Sequence, residues 1–293
     1  SLWLHRCLPN GVAKAIWDRY MFLYSNHHLP SFDLFHSPSF VLPKQTAQYR
    51  FKSVVTIHDL AFLIFPNFFD IKTRAYFNAF LYRSLDEASK IIAVSHSTAR
   101  DIKLHFPMYS QKVTVIHNGF TDFSSIPPDN EILKDFQLHE HEYILFVGSY
   151  NKRKNLSLLL KFAQFCSVAY PKLRFVVAGR PPSYRQENST CNIAYTGYIS
   201  DNKLSSLYRN AQLLIYPSHY EGFGFPILEA YSVRTPVICS NTSSLPEISG
   251  LPEKLMFSPI SVEELIRAYQ YFLEIRHRYF SNILVTRHLE SFS

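Results

Sequence analysis

Glycine is scarce in this chain: eight among 293 residues. Cysteine is scarcer, with four, and no two of them form a CxxC pair. That spacing disfavours a thiolate zinc site and reads as reduced core cysteines of a cytosolic protein. Charged residues are only 18%, against 47% hydrophobic, which excludes a disordered tail. Long apolar runs are missing too. "VVTIHDLAFLIF" is broken by His58 and Asp59, and "LSLLLKFAQFC" by Lys161 and Gln164. Neither approaches the roughly 20 apolar residues of a membrane-spanning helix. No stretch reads as a secretory signal. No two aspartates stand at DxD spacing. No basic run is interleaved with aromatics and no finger or helix-turn-helix signature occurs, so no nucleic-acid partner is expected.

What is present is a net charge of +7, which favours anionic partners: nucleotides, phosphorylated substrates or an anionic membrane face. A length of 293 residues predicts about two domains. Short β-rich runs recur at 54–58, 91–95, 113–117, 143–148, 173–179, 193–197, 213–218 and 236–240. Helical patterns at 72–88, 97–106, 155–169, 201–210 and 226–233 lie between most of them. This alternation predicts α/β domains with parallel sheets and right-handed crossovers. The continuous apolar strands predict sheets covered on both faces. Gly119, Gly148, Gly179 and Gly197 stand at or just past strand ends, where open α/β sheets bind ligands. The polar segment 121–140, with its Pro127-Pro128 pair, reads as an interdomain linker.

Two stretches carry chemistry. "HYEGFGFPILEA" (219–230) follows a strand and leads into a helix that Pro226 is expected to start. The turn Glu221-Gly222-Phe223-Gly224 then presents backbone amides at a helix N-terminus, an anion site. Glu221 stays on the loop and Glu229 falls about one turn into the helix. Carboxylates are acceptors and suit a sugar or ribose diol. The other reading is a tight turn with one solvated glutamate and one favourable helix-start charge, and both stay open on local physics. A dinucleotide fingerprint fits poorly: the third glycine is missing, and Glu247, near the required offset, follows a proline. In "VGSYNKRKNLSLLL" (147–160) a strand ends at Gly148 and a helix opens near Asn155, a good cap. Arg153 and Lys154 oppose that helix's dipole unless an anion joins them, so the stretch reads as a phosphate site or a solvated basic loop.

Six segments in order, "VTIHDLAFLIFPNFF", "IIAVSHSTARDI", "VIHNGF", "VGSYNKRKNL", "YPSHYEGFGFPILEA" and "SSLPEISG", make the chain resemble the retaining glycosyltransferases of family four. The resemblance implies the GT-B architecture, two Rossmann-like parallel-sheet domains facing across a cleft. The N-terminal acceptor-side domain would span 1–125 without its first strands, because the family's opening strand and Gly-rich loop are not seen before "GVAKAIWDRYMFLY". The nucleotide-sugar domain would span 126–274 and a helical tail 275–293. The implied reaction moves a hexosyl group, mannosyl or glucosyl, from a nucleotide-diphosphate sugar to a glycan or lipid-linked acceptor. Arg153 and Lys154 would hold the diphosphate, and Glu221 and Glu229 would meet the donor sugar and the ribose. Gly148, Gly222, Phe223 and Gly224 would line the donor site, and His58 would face the reaction centre. No cofactor or metal is expected. Cytoplasmic location is expected; the apolar stretch 60–69 reads first as a buried loop and helix start, with peripheral contact at an anionic membrane as the alternative. The rivals are a sugar-nucleotide-binding fragment or pseudoenzyme without turnover, and another GT-B enzyme such as a sugar-nucleotide epimerase. Arg234 stands where the family usually has glycine. If that position is left-handed, arginine costs on the order of 1 kcal/mol.

Overall fold

The computed structural model describes residues 33–42, 52–179, 192–279, 289 and 292. "GVAKAIWDRYMFLY", whose pattern reads as a helix, and most of the tail, 275–293, lie outside these residues, as do Cys7 and Cys191. The chain divides into two compact units, one of residues 1–94 and 99–116, the other of 95–98 and 117–293.

The first unit is a parallel sheet in the order β1-β2-β3-β4. Its strands are β1 (Leu34–Ser37), β2 (Lys52–Ile57), β3 (Lys90–Ala93) and β4 (Val113–Val115). Val55, Ile57, Ile91 and Ala93 are fully buried and form the sheet's side of a core with Leu60, Leu81 and Leu85. Helices α1 (Ala61–Ile64) and α2 (Ile71–Glu87) follow β2, and α3 (His96–His105) follows β3. Asp70 caps α2 by accepting from the Thr73 amide at 2.9 Å, the usual role of a short acceptor at that position. "FDLFHSPSF" reads as a strand-end loop in the sequence, and its first part is itself a strand, β1, paired with β2.

The second unit is a six-stranded parallel sheet in the order β10-β9-β8-β5-β6-β7. The strands are β5 (Tyr143–Val147), β6 (Arg174–Ala178), β7 (Ile193–Gly197), β8 (Leu213–Tyr216), β9 (Val237–Ser240) and β10 (Met256–Phe257). The helices are α4 (Glu131–Asp135), α5 (Leu156–Ala169), α6 (Asp201–Asn210), α7 (Phe225–Ser232), α8 (Leu245–Ser249) and α9 (Val262–Ile275). The segment 121–140 is therefore no bare linker: it holds α4 and belongs to this unit. β5, β8 and β9 are apolar at nearly every position and buried, as strands covered on both faces must be. Ile144, Phe146, Leu213 and Ile215 face α5 and α9, whose Phe162, Leu265, Tyr269 and Phe272 complete the core. Each large side chain so buried contributes about 1.5–3 kcal/mol.

From β5 the chain winds outward through β6 and β7, then returns to β8 on the other side of β5. The direction of winding thus reverses between β5 and β8, and a crevice opens beyond their carboxyl ends. Gly179 is required here: a Cβ would fall on the carbonyl oxygen of Gly148. Gly119 stands four residues beyond β4, not at a strand end. Among the described residues, no helix is long and apolar enough to cross a membrane.

Candidate functional site: a charge cluster at the switch point

The loops after β5 and β8 bring Arg153, Lys154 and Glu221 together. Arg153 Nη1 lies 2.6 Å from Glu221 Oε2, and Lys154 Nζ lies 2.8 Å from Oε1. Arg153 also donates to the Tyr220 carbonyl at 2.8 Å, and the His219 amide donates back to the Arg153 carbonyl at 2.8 Å. The two loops are thus stitched together by main chain and side chain. The anion that reconciles two cations with a helix start is Glu221 itself. It is not an open acceptor on a loop, because only 6% of its surface is exposed.

The local chain explains this placement. Asn151 accepts the Lys154 amide at 2.9 Å and closes a short turn, Lys152–Lys154, ahead of α5. Asn155, read as the helix cap, makes no side-chain cap and takes a left-handed φ of 56°. Its Nδ2 instead donates to the Pro217 carbonyl at 3.0 Å and the Pro259 carbonyl at 2.7 Å, fastening the α5 start to the β8 loop. Gly148 lies against the aliphatic stem of Lys154. The Lys154 ammonium donates to the Tyr216 hydroxyl at 2.6 Å and sits 4.9 Å from that ring's centre.

The Glu221–Gly224 loop is held from behind. The Glu221 amide donates to the Ser243 hydroxyl at 2.9 Å. Ser244 Oγ donates to the Glu221 carbonyl at 2.9 Å and the Phe223 carbonyl at 2.6 Å. Gly224 precedes α7 with φ 122°, a conformation that side chains rarely adopt, and a Cβ would come within 3.1 Å of Leu245. Phe225 opens α7, so Pro226 takes its second position, not its first. Glu229 is one turn in, and Tyr208 on α6 donates to its Oε2 at 2.8 Å.

The two glutamates are driven in opposite directions. Burial pushes the Glu221 carboxyl up, but Lys154 and Arg153 outweigh it and hold the group below its ordinary value. Burial lifts Glu229 above its ordinary value, against the Tyr208 hydrogen bond. Burial, and then the Glu221 charge, raise the Tyr216 phenol well above its usual range.

Of the predicted residues, Arg153, Lys154, Glu221 and Gly148 meet directly. Gly222, Phe223 and Gly224 form the adjoining loop, and Glu229 lies on the helix that follows. His58 lies in the first unit at the end of β2, its Nε2 2.8 Å from the Pro38 carbonyl. Glu247 lies in the first turn of α8, not at a strand end, which removes the dinucleotide reading. Tyr208, Tyr216, Ser243 and Ser244 were not foreseen. The only signal for Tyr216 was its place at the end of an apolar strand, and Tyr208 is 21 residues from its partner.

The chain matches the model for glycosyl transferases group 1 over residues 129–282, and that for glycosyltransferase family 4 over 6–122. It is 32% identical over 229 residues to the O-antigen chain mannosyltransferase B of Escherichia coli, covering 74% of this chain and 59% of the relative. It is 28% identical over 201 residues to the O-antigen chain mannosyltransferase RfbU of Salmonella typhimurium, covering 66% and 53%. The chain thus spans less than two thirds of the length of these relatives. Among solved structures, sucrose-phosphate synthase from Thermosynechococcus elongatus superposes with a TM-score of 0.74 at 19% identity, over 97% of this chain and 76% of that one. Anabaena HepE in complex with UDP and glucose gives 0.62 at 18% identity, over 78% and 64%. Those likenesses establish the fold as that of GT-B glycosyltransferases. The chain belongs to the glycosyl transferases group 1 family, whose model spans more than half of it.

Proposed function

We propose that this chain carries the donor site of a retaining, metal-independent hexosyltransferase. In this reading it moves a mannosyl or glucosyl group from a nucleotide-diphosphate sugar to a glycan or lipid-linked acceptor. The observation that carries the proposal is the Arg153–Lys154–Glu221 cluster at the β5/β8 switch point. Two cations and one carboxylate leave a net positive charge on a largely buried cluster. Diphosphate oxygens compete with Glu221 for both cations, and the displaced carboxylate is then an acceptor for a donor-sugar hydroxyl. As the glycosidic bond breaks, negative charge grows on the diphosphate and meets prearranged cations and the α7 N-terminus, the electrostatic form of catalysis. Glu229, held through one oxygen by Tyr208, offers the other to the ribose. The names of the relatives favour mannose, and the UDP in complex with HepE supports a nucleotide sugar as donor.

Calorimetry with UDP and GDP tests the clamp. Lys154→Ala is expected to weaken binding by about 1.5–3 kcal/mol, the scale of a charged hydrogen bond. Unchanged affinity and unchanged salt dependence would remove the clamp. Transfer from a panel of nucleotide sugars, in EDTA, with the product anomer read by NMR, tests the reaction. Inverted product, or a rate restored only by Mg²⁺ or Mn²⁺, would overturn the retaining or the metal-independent part.

A further inference from the structure

Three residues outside that cluster meet within the second unit. His96 is the first residue of α3, His117 stands two residues beyond β4, and Glu247 lies in α8; residues 95–98 and 117 all belong to the second unit. A ring nitrogen of each histidine and a carboxylate oxygen of Glu247 all lie within 4.8 Å of one another. His117 Nε2 is 2.8 Å from Glu247 Oε1, and the two imidazole rings are 5.8 Å apart at 75°. We propose that His96, His117 and Glu247 form a binding site for a borderline transition-metal cation, Zn²⁺ by preference, with water as the fourth ligand.

The donor set decides the class of ion. Two imidazoles and one carboxylate suit Zn²⁺, Co²⁺ and Ni²⁺, whereas Mg²⁺ and Ca²⁺ seek oxygen. The geometry is near what is needed. Tetrahedral bonds of about 2.0–2.2 Å put ligand atoms roughly 3.3 Å apart. The His117–Glu247 contact would open by about half an ångström, and the exposed His96 ring would swing inward by at most about 1.5 Å. Glu247 is already oriented from outside: the His96 amide donates to Oε1 at 2.9 Å and the Ser97 amide to Oε2 at 3.2 Å. Such outer hydrogen bonds are what a ligating carboxylate carries. A hydrated ion has access, since His96 is exposed and His117 and Glu247 keep 26% and 20% of their side-chain surface.

The cluster shares no residue with Arg153, Lys154 and Glu221, so it asks nothing of the transfer step. It does touch the donor loop. The His117 ring centre lies 6.0 Å from that of Phe223 and 5.0 Å from that of Phe292. A bound ion would therefore fix one wall of the loop that carries Glu221 and Gly224.

The test is a titration of the full chain with Co²⁺, followed by visible absorption, with Zn²⁺ as competitor. The expected result is the intense bands of four-coordinate cobalt at one equivalent, abolished by Zn²⁺ and untouched by Mg²⁺. His96→Ala and His117→Ala should each weaken binding by more than about tenfold, the least that loss of a metal partner costs. His96 is exposed, so its variant is expected to fold, and it decides the matter if His117→Ala does not. Absence of the bands, displacement by Mg²⁺, or His96→Ala with undiminished cobalt affinity would overturn the proposal. The last outcome would assign the ion to others of the chain's thirteen histidines.

Discussion

Glu221 and Glu229 flank one loop and one helix start, and burial pushes both carboxyls up, although Glu229 is only half-buried. Only Glu221 has two cations against it, so its group lies below the ordinary 4.5 while that of Glu229 lies above. The signs for stability follow. Glu221's contribution is present above its unfolded value and is lost as pH falls through its lower folded value. Glu229 is the reverse: the folded state favours its protonated form, and stability is lost as pH rises from 4.5 through its folded value. Near neutral pH, Glu229→Gln should therefore raise the thermal midpoint, because it removes a half-buried charge while keeping an acceptor for Tyr208. On the proposed ribose role it should also weaken nucleotide binding, by about 1.5–3 kcal/mol. Thermal unfolding and calorimetry on the same preparation check both. A lowered midpoint with unchanged nucleotide affinity would mean that Glu229 is a structural group and nothing more. A cost in stability at a binding residue is the ordinary pattern for functional sites.

At the scale of elements, the most local defect is the end of α7. Arg234 has φ 63°, the left-handed position that follows a helix and favours glycine. Its side chain is exposed, so little packing is lost by removing it. Arg234→Gly should stabilise the protein by about 1 kcal/mol, which denaturant unfolding can read, with the donor affinity unchanged. A destabilised variant would show that the guanidinium makes up for the backbone strain. The resemblance pointed to this strain, because the family usually has glycine where this chain has Arg234. Eight strands were legible, since continuous β-branched runs and the helices between them are local signals. β1 and β10 were not legible. They have four and two residues, and they exist as strands through pairing with β2 and β9. The same limit governs the site. Arg153 and Lys154 could be placed before a helix, and Glu221 before another. Their pairing, across 68 positions for Arg153, follows from the sheet order that seats β8 beside β5, and no periodicity encodes that order. Asn155 does stand at the N-cap position of α5, but its side chain makes no cap: Oδ1 accepts from Ser157 Oγ, and Nδ2 is held by the carbonyls of Pro217 and Pro259, both distant in sequence.

At the scale of the whole molecule, each unit has its own parallel sheet and its own buried core. The proposed donor-binding groups all lie in the second unit, whereas His58, expected at the reaction centre, lies in the first. A ligand that binds the folded form of one unit stabilises that unit by mass action, by about 2.7 kcal/mol at a hundredfold excess over its dissociation constant. Amides that exchange only through unfolding of that unit should then slow by about a hundredfold. Hydrogen exchange with and without UDP or GDP is therefore expected to show a divided response. Protection should rise in β5, β6, β8 and β9, and in the starts of α5 and α7. β2, β3 and α2 should exchange at the same rate in both conditions. The loops at 148–155 and 217–224 should respond even to weak binding, since they carry the cations and the amides that meet the phosphates. Two results would count against this division. Equal protection of β2 and β5 would mean that the two sheets unfold as one cooperative body. Protection confined to the first unit would move the nucleotide site away from the Arg153–Lys154–Glu221 cluster altogether.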